Sequence, residues 1–160
     1  MNKPSSKFPN EAEVVIVGVG GIVGSMVAYW LAEMGQKNIV GLEKSTIIPS
    51  DIASTAHASD FVYNTTHDKL GCWATNFSRK FYEDNGFFLK KGGLEICRTD
   101  DDARWEELKR KVESGKAFGT NVRLISAAEA KEKFPLLDEG SIRGAMWDPD
   151  AGLVTPRSQD

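Results

Sequence analysis

The chain of 160 residues has few of the side chains on which sulfur and metal chemistry depend, with only two cysteines and two histidines. Cys72 and Cys97 lack the paired spacing of a zinc site or a redox motif, and we expect both to be packing residues in a reducing compartment. No apolar run approaches the roughly 20 residues of a membrane-spanning helix. The sequence therefore predicts no metal site and no membrane segment.

A block of one charge sign is also missing. The 20 lysines and arginines nearly balance the 23 aspartates and glutamates, which leaves a formal net charge of −3. Nothing in this balance indicates nucleic acid or an anionic membrane as a partner. Residues 1–10 lack the apolar core of a signal peptide. We expect a soluble intracellular protein, cytoplasmic by default, with the mitochondrial matrix left open.

The most informative pattern ends at Glu43. A β-branched run at Val14–Val17 predicts a strand, an apolar helical pattern extends to Met34, and Ile39–Leu42 predicts a second strand. The turn between the first strand and the helix contains Gly18, Gly20, Gly21 and Gly24. Such a turn lets a diphosphate approach the unpaired N–H groups of a helix N-terminus, and Glu43 stands where an acid would bind a ribose. This combination favours dinucleotide binding over a purely structural turn.

The spacing of these glycines departs from the G-x-G-x-x-G pattern. Because Glu43 keeps the usual distance from Gly24, we take Gly21 and Gly24 as the second and third glycines. The first is open. Either the loop carries one extra residue, or Gly18 and Gly20 share the role of the first glycine.

The rest of the chain predicts mixed helices and strands. Residues 44–60 are polar and small, which indicates a loop or short turns. We expect an amphipathic helix at 68–84 and the two strands of a hairpin at 87–90 and 94–98. Further expected elements are a helix from the acidic triplet 100–102 to 114, a strand at 122–125, a short helix opened by the capping box 126–129, and a strand at 142–147. This is an α/β layout, but not the alternating series of a complete doubly wound sheet.

Several motifs, in order along the chain, resemble one family. They are Val15–Gly18 with Gly21–Gly24, Ser54–Ala58, Gly92–Ile96, Phe134–Leu137 and Asp150–Val154. From about Val14 to Thr155 the sequence is similar to the FAD-dependent amine oxidoreductases of the D-amino-acid oxidase type, and within them to the dimethylglycine oxidase/dehydrogenase and sarcosine dehydrogenase branch. The Ser-Thr-x-His-Ala element is the most branch-specific of these motifs.

The resemblance implies a division of the chain. It implies the N-terminal βαβ of a Rossmann-type FAD-binding domain followed by the start of an α+β substrate domain, an incomplete arrangement. The expected parts are a polar N-terminal tail at 1–12, the first part of the FAD-binding domain at 13–85, the start of the substrate domain at 86–155 and a truncated end at 156–160.

The resemblance also implies a cofactor and its attachment. FAD is expected to be carried covalently by His57, through a bond to the 8α-methyl carbon of the flavin. The candidate cofactor-binding residues are Gly18, Gly20, Gly21, Gly24, Glu43, Lys44, Ser54, Thr55 and His57. The branch usually has glycines where this chain has Ala53 and Asp60. Catalytic residues are not identified, because the groups that grip the substrate are expected beyond Asp160.

The function implied is oxidation of an N-methylglycine-type substrate such as dimethylglycine or sarcosine. Folate or an electron acceptor would be further partners of the full-length protein. Two alternatives stay open: an NAD-dependent dehydrogenase, because Glu43 suits the adenosine ribose of either nucleotide, and a truncated fragment without catalytic activity.

Overall fold

A computed structural model describes residues 9 and 11–155 of the chain. Most of the predicted tail at 1–12, and all of the predicted end at 156–160, lie outside the described residues. The described residues divide into two compact units, one that ends at Ser59 and one that begins at Asp60. The boundary between the FAD-binding part and the substrate domain is predicted at 85/86. That boundary separates functions, not compact units, and it stays a prediction.

The first unit contains the predicted βαβ arrangement. Strand β1 (Val14–Val17) and strand β2 (Ile39–Leu42) pair in parallel along their whole length. Helix α1 (Ile22–Glu33) connects them, begins after Gly21 and ends before Gly35, whose φ of +92° favours glycine. Parallel pairing brings the carboxyl ends of both strands to one edge, next to the N-terminus of α1. This edge is where the predicted site residues follow the strands.

The second unit contains two three-stranded sheets. Its strands are β3 (Phe61–Val62), β4 (Phe88–Lys90), β5 (Gly93–Arg98), β6 (Arg123–Ser126), β7 (Ile142–Asp148) and β8 (Gly152–Val154). The sheet orders are β3-β8-β4 and β5-β7-β6, and all pairs are antiparallel. Its helices are α2 (Lys69–Asp84), α3 (Asp102–Ala117) and α4 (Ala127–Lys133). No helix among the described residues is long and apolar enough to cross a membrane.

Two clusters of buried side chains involve the β5-β7-β6 sheet. One includes residues of α3, and its members are Cys97, Leu108, Val112, Val122 and Met146. The other includes a residue of α4, and its members are Ile125, Ala130, Ile142 and Ala145. Both cysteines of the chain are buried and unpaired, which confirms them as packing residues.

The predicted hairpin of 87–90 and 94–98 is wrong. Strands β4 and β5 do not pair with each other, because β4 pairs with β8 and β5 pairs with β7. Between them, the N–H groups of Lys91 and Gly92 both donate to the carbonyl of Ala151, in the link from β7 to β8. The two links therefore lie against each other, and the chain passes from one sheet to the other at Gly92, whose φ is +77°. Local sequence showed the turn but not the distant partner strands.

Candidate functional site

The glycine turn follows β1 directly. Gly18 has a φ of +90°, and its N–H donates to the carbonyl of Leu42 at 2.7 Å. Gly24, in the first turn of α1, is so close to this residue that a Cβ there would lie 2.1 Å from the Gly18 carbonyl oxygen. Gly18 therefore makes the tight turn and Gly24 the close approach of helix and strand. These two roles favour the interpretation in which the loop carries one extra residue.

Glu43 follows β2 and points toward this turn. Its Oε1 accepts a hydrogen bond from the N–H of Ser45 at 2.9 Å, and its Oε2 accepts one from the N–H of Gly20 at 2.8 Å. The Ser45 bond and then the Gly20 bond are the main causes that lower the pKa of the Glu43 carboxyl. The carboxylate is therefore charged at neutral pH and retains lone pairs on both oxygens for further donors.

The N-terminus of α1 keeps free donors. The hydroxyl of Thr55 accepts from the N–H of Ile22 at 3.0 Å, and a Cβ on Gly21 would lie 3.4 Å from the same oxygen. The N–H groups of Gly21, Val23 and Gly24 make no hydrogen bond within residues 9 and 11–155. The turn is thus partly closed by side chains, yet it still presents several backbone donors at the positive end of a twelve-residue helix.

Ser50 is a neighbour of the turn that the sequence did not single out. Its N–H donates to the carbonyl of Gly20 at 2.9 Å, and the residue is only 2% exposed. A Cβ on Gly20 would lie 2.6 Å from Ser50 Cβ and 2.7 Å from Glu43 Oε2, so this position requires glycine. No sequence signal distinguished Ser50 from the other serines of the polar stretch at 44–60.

The structure unites only some of the predicted residues. Those that lie together at the turn are Gly18, Gly20, Gly21, Gly24, Glu43 and Thr55. The side chains of Lys44, Ser54 and His57 are exposed and make no hydrogen bond or ion pair with any described residue. His57 ends a 3-10 helix at Ser54–His57.

Asp60 has a φ of +57°, the left-handed region that favours glycine. The position where the branch usually has glycine therefore keeps a glycine-like conformation, although the residue is aspartate.

These contacts fit one half of a dinucleotide. Free backbone donors at a helix N-terminus suit a diphosphate, and an ionised carboxylate at the end of the second strand suits ribose hydroxyls. The glycines leave the turn without Cβ atoms that would hold a phosphate away. The described residues therefore fit the adenosine diphosphate part that FAD shares with NAD.

A separate apolar cavity lies within the second unit. Its volume is about 660 Å³, and its lining includes Phe61, Leu94, Phe134 and Trp147. Lys133 also lines it and places its Nζ 4.4 Å from the centroid of the Trp147 ring. This cavity could hold an apolar or aromatic group.

A comparison with known protein families identifies the family of this chain. The family model described as FAD dependent oxidoreductase matches residues 13–158. The chain belongs to this family. Membership confirms the predicted α/β fold and the resemblance that the motifs carry, and it makes FAD the dinucleotide of this fold.

Individual relatives of the family are similar over nearly the whole chain. Sarcosine dehydrogenase, mitochondrial, of Homo sapiens is 29% identical over 161 residues, which cover 96% of this chain and 17% of that protein. The pyruvate dehydrogenase phosphatase regulatory subunit, mitochondrial, of Mus musculus is 31% identical over 158 residues, which cover 94% of this chain and 17% of that protein. The chain thus spans about a sixth of the length of these curated relatives.

A solved structure is also similar to this chain. L-proline dehydrogenase from P. horikoshii superposes with a TM-score of 0.80 at 32% sequence identity. The match covers 93% of this chain and 39% of that one. This share is in line with the partial architecture that the sequence predicts.

Proposed function

We propose that this chain forms the nucleotide-binding part of an FAD-dependent oxidoreductase that oxidises an N-methylglycine-type substrate such as sarcosine or dimethylglycine. The observation that carries the proposal is the position of the Glu43 carboxylate, 2.8 Å from the Gly20 N–H of the glycine turn. The family supports FAD as the nucleotide. The similarity to sarcosine dehydrogenase supports the substrate class.

The adenosine diphosphate half of FAD would be bound by the first unit. The free N–H groups of Gly21 and Val23 would donate to the diphosphate, and Glu43 would accept hydrogen bonds from the ribose hydroxyls. Gly18 makes the tight turn and Gly24 allows the close approach of α1 to that turn, so both glycines shape the surface on which these donors lie. When bound, FAD supplies the redox chemistry, while these residues bind and orient it.

Three further residues have proposed roles that fewer contacts in the structure support. The exposed Lys44 ammonium is free to bind a phosphate or a ribose oxygen from solvent. The Thr55 hydroxyl lies beside the N-terminus of α1, where it already accepts from the Ile22 N–H, and the exposed Ser54 hydroxyl is a further proposed donor to the cofactor. Catalytic residues remain unassigned in this chain.

His57 is the proposed site of covalent attachment of the flavin. Its imidazole is exposed and has no partner among the described residues, so a ring nitrogen is accessible to the cofactor. The Ser-Thr-x-His-Ala element and the left-handed conformation of Asp60 support this role.

Acid precipitation tests the attachment. After expression with FAD, the yellow colour of wild type should stay with the acid-precipitated protein, and His57→Ala should release it to the supernatant. His67→Ala is the matched control, because His67 is exposed and pairs with Glu107. Extraction of the whole flavin from wild type would refute the covalent bond. It would not contradict the proposed nucleotide site, which binds FAD without a covalent bond.

Binding and turnover test the function itself. The chain should bind ADP. Glu43→Ala should weaken that binding by about tenfold, because the ribose hydroxyls of ADP lose the carboxylate that accepts their hydrogen bonds. In the parent protein, meaning the full-length protein that contains this chain, sarcosine or dimethylglycine should bleach the flavin absorbance under anaerobic conditions. Binding of NAD in preference to FAD would support the dehydrogenase alternative and contradict the proposal.

A second candidate is a regulatory protein without oxidoreductase activity. The observation in its favour is the 31% identity to a mouse protein named as a regulatory subunit. A parent protein that binds FAD but shows no bleaching with any N-methylated or primary amino acid would support this candidate.

The cellular setting follows from the same proposal. We propose the cytoplasm as the compartment, with the mitochondrial matrix as the alternative that the two mitochondrial relatives support. A small-molecule amine is the proposed substrate, and folate or an electron acceptor is a proposed partner of the parent protein. Fractionation of cells that express a tagged parent protein would decide the compartment.

A further inference from the structure

Two motifs of the sequence that have no role in the proposed function meet at one place. They are Gly92–Ile96 and Phe134–Leu137, and both contribute residues to the apolar cavity of the second unit. The cavity volume of about 660 Å³ is in the range of sites that hold an organic ligand of moderate size. The cavity is therefore a candidate binding site, and its walls indicate which ligand would fit.

Gly92 and Gly93, where the chain enters β5, let two aromatic rings lie close to the backbone. A Cβ on Gly92 would stand 1.9 Å from Cη2 of the Trp147 ring, and a Cβ on Gly93 would stand 2.4 Å from Cζ of the Phe61 ring. A side chain at either position would push the neighbouring ring away. The two glycines therefore allow both rings to form walls of the cavity.

The apolar walls of the cavity are open to solvent. Phe61 is 39% exposed, Ile96 is 43% exposed and Phe134 is 48% exposed. A ligand with an apolar body would be stabilised by removing these side chains from water. Flat ring systems suit such walls, because aromatic rings stack on one another or meet edge to face.

Two lysines give the cavity a positive charge. Lys91 and Lys133 belong to the lining, which contains no acidic residue among the described residues. Neither ammonium forms an ion pair with a described residue. The carboxylate of Glu129, one turn earlier on α4, accepts instead from Arg123 at 3.0 Å. The ring of Trp147 holds the Lys133 ammonium 4.4 Å from its centroid, which fixes a positive charge at the aromatic wall.

We propose that this cavity binds a planar aromatic anion, meaning a flat ring system with one acidic group that is ionised at neutral pH. The rings would cover the exposed side chains of Phe61, Ile96 and Phe134. The anionic group would accept a hydrogen bond from the Lys133 ammonium, with Lys91 as the second cation. The inference does not depend on the proposed nucleotide site, because no residue of the glycine turn lines the cavity.

Two probes with the same rings separate the role of charge from that of apolar contact. Naphthalene-2-sulfonate is an anion, and naphthalene-2-sulfonamide is neutral at pH 7. In calorimetric titrations of the 160-residue chain, the sulfonate should bind about tenfold more tightly than the sulfonamide, the size expected for one hydrogen bond between charged groups. Lys133→Gln should remove most of this preference and leave the affinity for the sulfonamide within about twofold of wild type.

Lys131→Gln is the matched control for the charge. Lys131 is exposed on the same helix as Lys133 and does not line the cavity. Its replacement removes the same charge from the chain and should change neither affinity by more than about twofold. Ile96→Ser shortens an apolar wall without changing the charge, so it should weaken both probes about equally.

Three results would each overturn the inference. Equal affinities of wild type for the two probes would show that the lysines do not select an anion. A preference for the sulfonate that Lys131→Gln lowers as much as Lys133→Gln does would show general attraction by the surface rather than a site. Binding of neither probe would show that the cavity does not take a planar aromatic ligand.

Discussion

The carbonyl oxygen of Gly18 and the Cα of Gly24 are in such close contact that a Cβ on Gly24 would lie 2.1 Å from that oxygen. This contact joins the end of β1 to the first turn of α1. It fixes how closely the N-terminus of the helix approaches the end of the strand. Because the neighbour is a backbone atom, it cannot move aside as a flexible side chain would.

Gly24→Ala should therefore destabilise the chain. Alanine normally stabilises a helix interior by about 1 kcal/mol relative to glycine, but overpacking of this kind costs about 1–3 kcal/mol or more. We expect a net loss in the free energy of unfolding, measured by urea titration followed by circular dichroism. The control is Gly140→Ala, whose Cβ would have its nearest neighbour at 3.6 Å. Equal stabilities of the two variants would contradict the close contact.

The stabilising effect of Glu43 should depend on pH. The N–H groups of Ser45 and Gly20 lower its pKa from the ordinary value of 4.5. A carboxyl with a lowered pKa in the folded state stabilises the fold above its unfolded pKa, and this contribution is lost as pH falls through the folded pKa. Wild type should thus be more stable than Glu43→Gln at neutral pH, and the difference should shrink as the pH falls below 4.5.

Urea midpoints of both proteins, compared at each pH, would isolate Glu43 from the other carboxyls. The other groups titrate in both proteins and cancel in the difference. A difference that stays constant down to the acid limit would show that the N–H bonds do not favour the charged form.

Asp68→Ala should weaken the start of α2. The Asp68 side chain accepts a hydrogen bond from the N–H of Gly71 at 2.7 Å, which satisfies one of the free donors of the helix. Loss of such a cap costs about 1 kcal/mol. Asp68→Asn keeps an acceptor oxygen and should retain most of the stability in thermal unfolding. An equal loss in both variants would indicate that the charge, not the cap, is what matters.

Glu95→Ala should cost more than removal of an exposed ion pair. Glu95 binds the guanidinium of Arg104 at 2.8 Å and also the ammonium of Lys111, which is only 8% exposed. Its loss leaves a largely buried positive charge without its partner, so we expect a loss of about 2–3 kcal/mol in the free energy of unfolding.

The matched control for this ion pair is Arg98→Ala. Arg98 pairs with Asp100 on the surface, and such pairs contribute at most about 1 kcal/mol. Lys111→Met in the Glu95→Ala background should restore part of the lost stability, because it removes the unpaired charge. Equal losses in Glu95→Ala and Arg98→Ala would show that Lys111 is well solvated.

Local patterns predicted those parts of the fold that local forces decide. The β-branched run of β1, the turn glycines and the apolar helix to Met34 predicted the βαβ unit, and the capping box placed Ser126 at the start of α4, where its hydroxyl accepts from the Glu129 N–H at 3.2 Å. The prediction of a hairpin at β4 and β5 was wrong because distant residues, not local ones, decide how these strands pair. Its strands pair with β8 and β7, more than forty residues along the chain, and backbone pairing over that distance leaves no local mark.

By itself, the sequence determined which residues could bind a dinucleotide and where the charge of Glu43 stands along the chain. The tertiary structure alone decided which backbone donors remain free at the turn, which of them Glu43 and Thr55 already use, and that the hydroxyl of Ser50 is buried beside them. The physical reason is that hydrogen bonding and burial depend on atoms brought together by folding. Spacing along the chain sets only which residue types are available for such contacts.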